Sequence, residues 1–189
     1  WQNHWGLRHY QTGYFGRTGV YEVLQINGDM REAILAGASE KKINEAFLDA
    51  QENCFAVGLT SVTDCRMSYQ MIPVINNLQN SKQLKMRIYG MLSDNQANFD
   101  YLFKNGAFKT DRLSIRSFKV YADGALGSRG ACLLEPYTDK PGHSGFLLND
   151  KKHFAEVAQK IAEKGFQMNT HAIGDSANRE ILHAYAKVL

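Results

Sequence analysis

No apolar run in this 189-residue chain approaches the roughly 18 residues needed to span a bilayer, and the opening stretch WQNHWGLRH lacks the apolar centre of a signal peptide. A membrane partner is therefore not expected. Cysteine is scarce: Cys54, Cys65 and Cys132 are widely spaced and odd in number, which argues against a disulfide framework and fits free thiols in a reducing, cytoplasmic compartment. No CxxC pair occurs, so a zinc-ribbon type of site is excluded. Charge of one sign is also missing, with 22 Lys and Arg against 19 Asp and Glu for a net +3. The one basic cluster, Lys151 and Lys152, sits where a helix should begin, so no nucleic-acid partner is expected. The glycine-rich loop Asp123 to Ala131 (DGALGSRGA) has neither the Walker GK[ST] ending nor GxGxxG spacing, which makes it weak as a phosphate cradle. A loop carrying Arg129 toward a substrate is the stronger reading.

What is present is a globular composition, 44% hydrophobic and 11% aromatic, enough to bury a substantial core. From about residue 39 onward, helical and strand periodicities alternate. Ile43, Phe47, Ala50, Cys54 and Val57 recur at helical spacing between a candidate N-cap, Ser39, and a stop at Gly58. Strands are expected at Thr60 to Cys65, Met86 to Leu92, Ile115 to Asp123 and Phe166 to Ile173. Helices are expected at Tyr69 to Leu78, at Asp94 to Asn105, between a cap at Asn149 or Asp150 and Gly165, and through Ala177 to Tyr185. This order implies βαβ units and a parallel sheet. We divide the chain into an N-terminal segment or insertion, 1–38, and a partial (β/α) barrel domain, 39–189.

The strand Ile115 to Asp123 sets Ser117, Lys119, Tyr121 and Asp123 on one face and Phe118, Val120 and Ala122 on the other. The strand ending at His171 places Gln167, Asn169 and His171 opposite Phe166, Met168 and Thr170. Strands buried between two helical layers should be apolar on both faces. Two strands with a polar face therefore favour part of a barrel over an open doubly wound sheet.

Barrel enzymes carry their chemistry at the C-terminal ends of the strands, which is where His171 lies, as a candidate metal ligand. The remaining histidines, His4, His9, His143, His153 and His183, read as structural or solvated. Lys119 has three readings: an ion-paired or snorkelling lysine, a Schiff-base nucleophile, or a lysine carboxylated by carbon dioxide to bridge metals. Asp123, nearer the barrel mouth, is a candidate ligand in place of or beside Lys119. Asp175 reads as a helix N-cap carboxylate, or as one that orients a ligand histidine from behind.

Three segments, GLTSVTDC, FKVYADGALGSRGACLLEPYTDKPGHSGFLL and MNTHAIGDSAN, together with RTGVYEV near residue 17, resemble the amidohydrolase family 3 group of metal-dependent hydrolases, which includes N-substituted formamide deformylases. The resemblance implies an α/β fold, part of a distorted (β/α)8 TIM barrel at about strands two to five. It also implies cleavage of a carbon–nitrogen bond of a small amide-like substrate by metal-activated water, with one or two divalent metals, zinc by preference. His171 matches the family's fifth-strand ligand and Lys119 its fourth-strand carboxylated lysine. Ser176 stands where many members carry arginine. The resemblance would also bring an HxH pair, a further histidine and a general-base aspartate, none of which this chain contains. We therefore expect a fragment inactive by itself. Two alternatives stay open: a Schiff-base lyase using Lys119, and a non-catalytic binding or assembly module whose open sheet edges would pair with another copy.

Overall fold

The computed structural model describes residues 39–188, which form two compact units, 39–58 and 59–188. The N-terminal segment 1–38, with RTGVYEV, His4 and His9, lies outside the described residues. The first unit contributes one helix, α1 (Glu40–Ala56), whose buried Ile43, Phe47, Gln51 and Cys54 follow helical spacing along one face. Ser39 occupies the N-cap position, but its side chain makes no capping hydrogen bond; its carbonyl accepts the amides of Lys42 and Ile43 instead. Gly58, at φ +79°, ends the turn that follows.

The second unit runs β1 (Ser61–Met67), α2 (Met71–Asn80), β2 (Arg87–Ser93), α3 (Gln96–Asn105), β3 (Phe108–Lys109), β4 (Leu113–Tyr121), α4 (Lys151–Glu163), β5 (Gln167–His171) and α5 (Asp175–Ala186). Asn95 caps α3 by accepting the Asn98 amide at 3.0 Å, and Asp150 caps α4 by accepting that of His153 at 2.7 Å. Gly106 and Gly165, both at positive φ, close these helices. The N-cap of α5 is Gly174, so Asp175 is the first helical residue rather than the cap. There its negative charge still complements the helix dipole.

Strands β1, β2, β4 and β5 are parallel neighbours in that order, each followed by or leading into a helix. This is the expected run of βα units. The two-residue β3 was not foreseen, being too short to show a period. It pairs antiparallel with Ser114 and Ile115, while β5 pairs with Ser117 to Tyr121 farther along β4. Two slips interrupt the parallel register. Gly90 faces Ile115 but Met91 faces Ser117, which makes Arg116 an extra residue. Similarly, Asp64 faces Gly90 but Met67 faces Leu92, so Cys65 and Arg66 together stand against Met91. Gly90 lies between them, and a Cβ there would fall 2.4 Å from Met67 Cε and 2.5 Å from Ile115 Cδ1, so a larger residue would displace the ends of those two side chains.

The core lies between the helices and the apolar face of β4. Phe118 is fully buried, its ring centroid 4.7 Å from that of Phe99 and 5.7 Å from those of Phe103 and Phe166, so one side chain joins β4 to α3 and to the start of β5. Val120 and Ala122 are equally buried on the same face. A buried polar residue organises the strand ends. Asn98 donates to the carbonyls of Ser93 (2.8 Å) and Met67 (3.4 Å) and accepts the Tyr69 amide (2.9 Å), joining α3 to the ends of β1 and β2. Replacing Phe118 by Ala should cost about 3–5 kcal/mol, read as a lower urea midpoint at unchanged m-value. A loss below about 1 kcal/mol would show that the aromatic cluster is not the keystone of this core.

Candidate active site at the strand ends

The face of β4 opposite Phe118 is polar. Ser117 Oγ accepts the Tyr89 hydroxyl at 2.8 Å, and Lys119 and Tyr121 follow it toward the C-terminal end of the strand. Across the ladder, Lys119 pairs with Ser93 of β2 and Asn169 of β5, while Tyr121 pairs with His171. Lys119 and His171 therefore share a face, separated by one strand spacing of about 4.8 Å and two residues, about 6.6 Å, along the strand. This is the juxtaposition read from the alternation of the two strands.

Lys119 is half-buried. Burial pulls its pKa below the ordinary lysine value, an effect that neighbouring Cys65 partly offsets. Among the described residues no carboxylate lies within ion-pairing distance of its amine. Its Nζ stands 5.0 Å from the Tyr121 ring centroid, and the Arg66 guanidinium stands 5.2 Å from the same centroid. The His171 ring lies 5.4 Å from that of Tyr121. Tyr121 is thus flanked by two cations and an imidazole, and the role of Arg66 was not anticipated, because the slip in β1 is invisible to simple alternation. Two carboxylates were also passed over. Asp64 in β1 and Asp94 just after β2 both have pKa values raised by burial, tempered for Asp64 by the Arg66 amide and for Asp94 by its own amide, His153 and Arg66.

Asp123 is 1% exposed. Its Oδ2 accepts the amides of Cys132 and Gly174, each at 2.8 Å, and its Oδ1 accepts that of Ile173 at 3.0 Å. The same Oδ1 lies 3.8 Å from His171 Nε2. The turn between β5 and α5 and the long connection after β4 are drawn together on this carboxylate. Their backbones touch closely enough that a Cβ on Gly174 would fall 1.9 Å from the Cys132 carbonyl oxygen. That oxygen accepts the Ala177 amide at 3.2 Å, inside the first turn of α5.

Asp175 and Arg129 are placed elsewhere. Asp175 Oδ1 accepts the amides of Leu134 (2.9 Å) and Ser176 (2.8 Å), so it ties the connection to α5, and the carboxylate standing at His171 is that of Asp123. Arg129, at φ +58°, forks onto Asp139, with Nη2 to Oδ2 at 2.7 Å, and its carbonyl faces His143 Nε2 at 2.9 Å. That side chain binds within its own connection. Among the described residues no group of three or more His, Cys, Asp or Glu side chains converges as a metal cage. A separate cleft of about 510 Å³ is lined by Ile173, Asp175, Asn178, Arg179, Leu182 and His183, and contains neither Lys119 nor His171.

Comparison with known proteins adds a framework. A model of the amidohydrolase family matches residues 19–189. A Bacillus subtilis (strain 168) protein carrying the name amidohydrolase YtcJ is 42% identical over 71 residues, 38% of this chain and 13% of that relative. A metal-dependent hydrolase of Pyrococcus furiosus superposes with a TM-score of 0.74 at 32% identity, covering 84% of this chain and 34% of that one. A second, from Pyrococcus horikoshii OT3, gives 0.65 at 26% identity, covering 76% and 31%. The chain thus spans about a third of the solved hydrolases it matches. The expected α/β class, with its run of barrel-type βα units, agrees with these superpositions.

The state of Lys119 has a measurable consequence. Because its folded-state pKa is lowered, the folded chain binds fewer protons than the unfolded chain between the two pKa values, and stability rises with pH through that window. Below the window both states are charged and the fold bears the cost of burying the ammonium. Lys119→Met should therefore raise the urea midpoint at pH 7 and flatten its rise in alkaline solution. A lowered midpoint would show that Lys119 contributes net stability to the fold.

Proposed function

The chain belongs to the amidohydrolase family, and on that premise we propose that Lys119 and His171 are two ligands of the metal site of a hydrolase acting on carbon–nitrogen bonds of small amide-like substrates. One observation carries the reading: an amine without a carboxylate partner among the described residues shares the C-terminal face of adjacent strands with an imidazole backed by a buried carboxylate. These donors suit a divalent ion, zinc by our reading, since imidazole and anionic oxygen are ordinary zinc ligands. When bound, such an ion supplies the Lewis acidity that makes water a nucleophile near neutral pH and polarises a scissile carbonyl.

The chain's own residues prepare that site. His171 offers a ring nitrogen as donor. Burial lowers the Lys119 pKa and so brings the neutral amine within easier reach; that form would attack carbon dioxide, a carbon–nitrogen bond forming as the amine proton passes to solvent, which leaves a carbamate oxygen available as a ligand. Arg66 of β1 stands over the ring of Tyr121, which pairs with His171, and Arg129 meets a substrate only by leaving Asp139. On this reading the general-base aspartate and further ligands come from outside this stretch, and since among the described residues no three donor side chains converge, the 189-residue chain is expected to lack turnover. Free Cys54, Cys65 and Cys132 support a reducing, cytoplasmic setting. Among the described residues no helix is long and apolar enough to cross a membrane.

The lowered pKa of Lys119 also favours a second reading, a Schiff-base lyase, which borohydride trapping of a carbonyl compound on Lys119 would reveal. Pairing of β1 or β5 edges between copies would make the chain an assembly module, detectable as a dimer by light scattering.

In the full-length protein, Lys119→Ala and His171→Ala should each lower kcat/KM on N-substituted formamides by at least about 100-fold, with loss of bound zinc. The 189-residue chain should show no turnover of the same substrates. Robust hydrolysis by that chain, or full activity in either variant, would refute the assignment.

A further inference from the structure

We propose that a cleft at the N-terminal ends of β1, β2 and β4 binds a phosphoryl group, held by the guanidinium groups of Arg87 and Arg112 and the amine of Lys109. Lys119 and His171 lie toward the opposite ends of their strands and take no part in it.

The cleft has a volume of about 330 Å³, and its lining includes Arg87, Lys109, Arg112, Asp111, Ser61 and Thr110. Strand pairing brings these residues together from separate parts of the chain. Ser61 of β1 faces Arg87 of β2, and Ser114 of β4 lies between Tyr89 of β2 and Lys109 of β3. Arg87, two residues before Tyr89, therefore shares a face of the sheet with Lys109, their backbones about 12 Å apart. Two long side chains can close that span on one ligand. Arg112 joins from the turn before β4: its carbonyl accepts the Ile88 amide at 2.7 Å, and its Nη1 donates to the Lys85 carbonyl just before β2.

Both guanidinium groups are fastened to neutral acceptors. Arg87 Nε donates to Ser61 Oγ at 2.8 Å and Nη2 to Thr60 Oγ1 at 2.6 Å, which leaves Nη1 without a hydrogen bond among the described residues. Arg112 keeps Nε and Nη2 unspent in the same way. Thr110 Oγ1 accepts the amides of Arg112 (3.3 Å) and Leu113 (3.0 Å), so its hydroxyl proton is available to a ligand. Among the described residues none of the three cations is ion-paired with a carboxylate, and in the cleft only Asp111 opposes them. Like charges gathered around one hollow repel, and an anion relieves that repulsion. A phosphoryl group suits best, because its oxygens match the guanidinium fork and it carries up to two charges. The N-terminal ends of barrel strands ordinarily serve stability, which clustered cations without carboxylate partners do not.

Calorimetric titration of the metal-free chain with inorganic phosphate, in about 0.15 M sodium chloride to screen diffuse attraction, tests the site. Saturable 1:1 binding is expected, weakened about 10-fold or more in Arg87→Gln and in Arg112→Gln, strengthened in Asp111→Asn and unchanged in Lys119→Met. A phosphate monoester such as glycerol phosphate forms a second arm: tighter binding than phosphate assigns the site to a phosphorylated small molecule, and binding no tighter assigns it to free phosphate. Because both arginines also tie neighbouring segments, the urea midpoint of each variant is measured without phosphate. Should either fail to fold, Lys109→Met on the exposed side of β3 replaces it and should weaken binding several-fold. No saturable binding by the wild-type chain in that salt, unchanged binding in the folded variants of Arg87, Arg112 or Lys109, or loss of binding in Lys119→Met would overturn the proposal.

Discussion

The arrangement of this site depends on one buried carboxylate. Taking an ion such as that of Asp123 out of water costs several kcal/mol, and only dense hydrogen bonding to the charged form offsets it. Three amides from two distant segments do so, each charge-assisted bond contributing about 1.5–3 kcal/mol. The end of β4, the connection through Cys132 and the turn into α5 are therefore fastened at a single point. His171 lies immediately before that turn, so its place relative to Lys119 follows from the clasp as well as from the strand pairing.

Around this point β4 performs two tasks with opposite faces. Phe118, Val120 and Ala122 bury themselves against helices and supply stability, while Lys119 and Tyr121 face the polar side, where Lys119 costs stability. A desolvated lysine with no carboxylate partner among the described residues is the kind of perturbed group that accompanies functional sites, which is the reason for proposing the site at the strand ends rather than in the cleft beside α5. The cations flanking Tyr121 extend that polarity to β1, the strand that carries Arg66.

Much of this was legible in the sequence because it is local. Alternation located β1, β2, β4 and β5, the glycines at 58, 106 and 165 marked helix ends, and of the two candidate caps, Asn149 and Asp150, the structure uses Asp150. The facing of Lys119 and His171 followed from strand period, and the motifs around both residues pointed to the family that the comparison then matched. What stayed hidden is non-local or leaves no compositional trace. A two-residue strand has no period, and the slip at Arg116 shows only as a shift in phase of the apolar positions, from Leu113 and Ile115 to Phe118 and Val120. Nothing local indicates that the Asp123 carboxylate meets amides nine and some fifty residues away, or that Arg129 spends its charge on Asp139. The placing of Asp175 at the N-cap missed by one residue: the cap is Gly174, where the Cys132 carbonyl leaves no room for a side chain, a contact that nothing local reveals.

The central claim is that Lys119 and His171 are ligands of one metal site, and an anomalous difference map at the zinc edge, from crystals of the full-length protein grown with zinc and bicarbonate, tests it most directly. The account predicts a peak about 2.0–2.2 Å from a His171 ring nitrogen and from a carbamate oxygen on Lys119. A zinc peak elsewhere, with Lys119 an unmodified amine and His171 unbound, would contradict it.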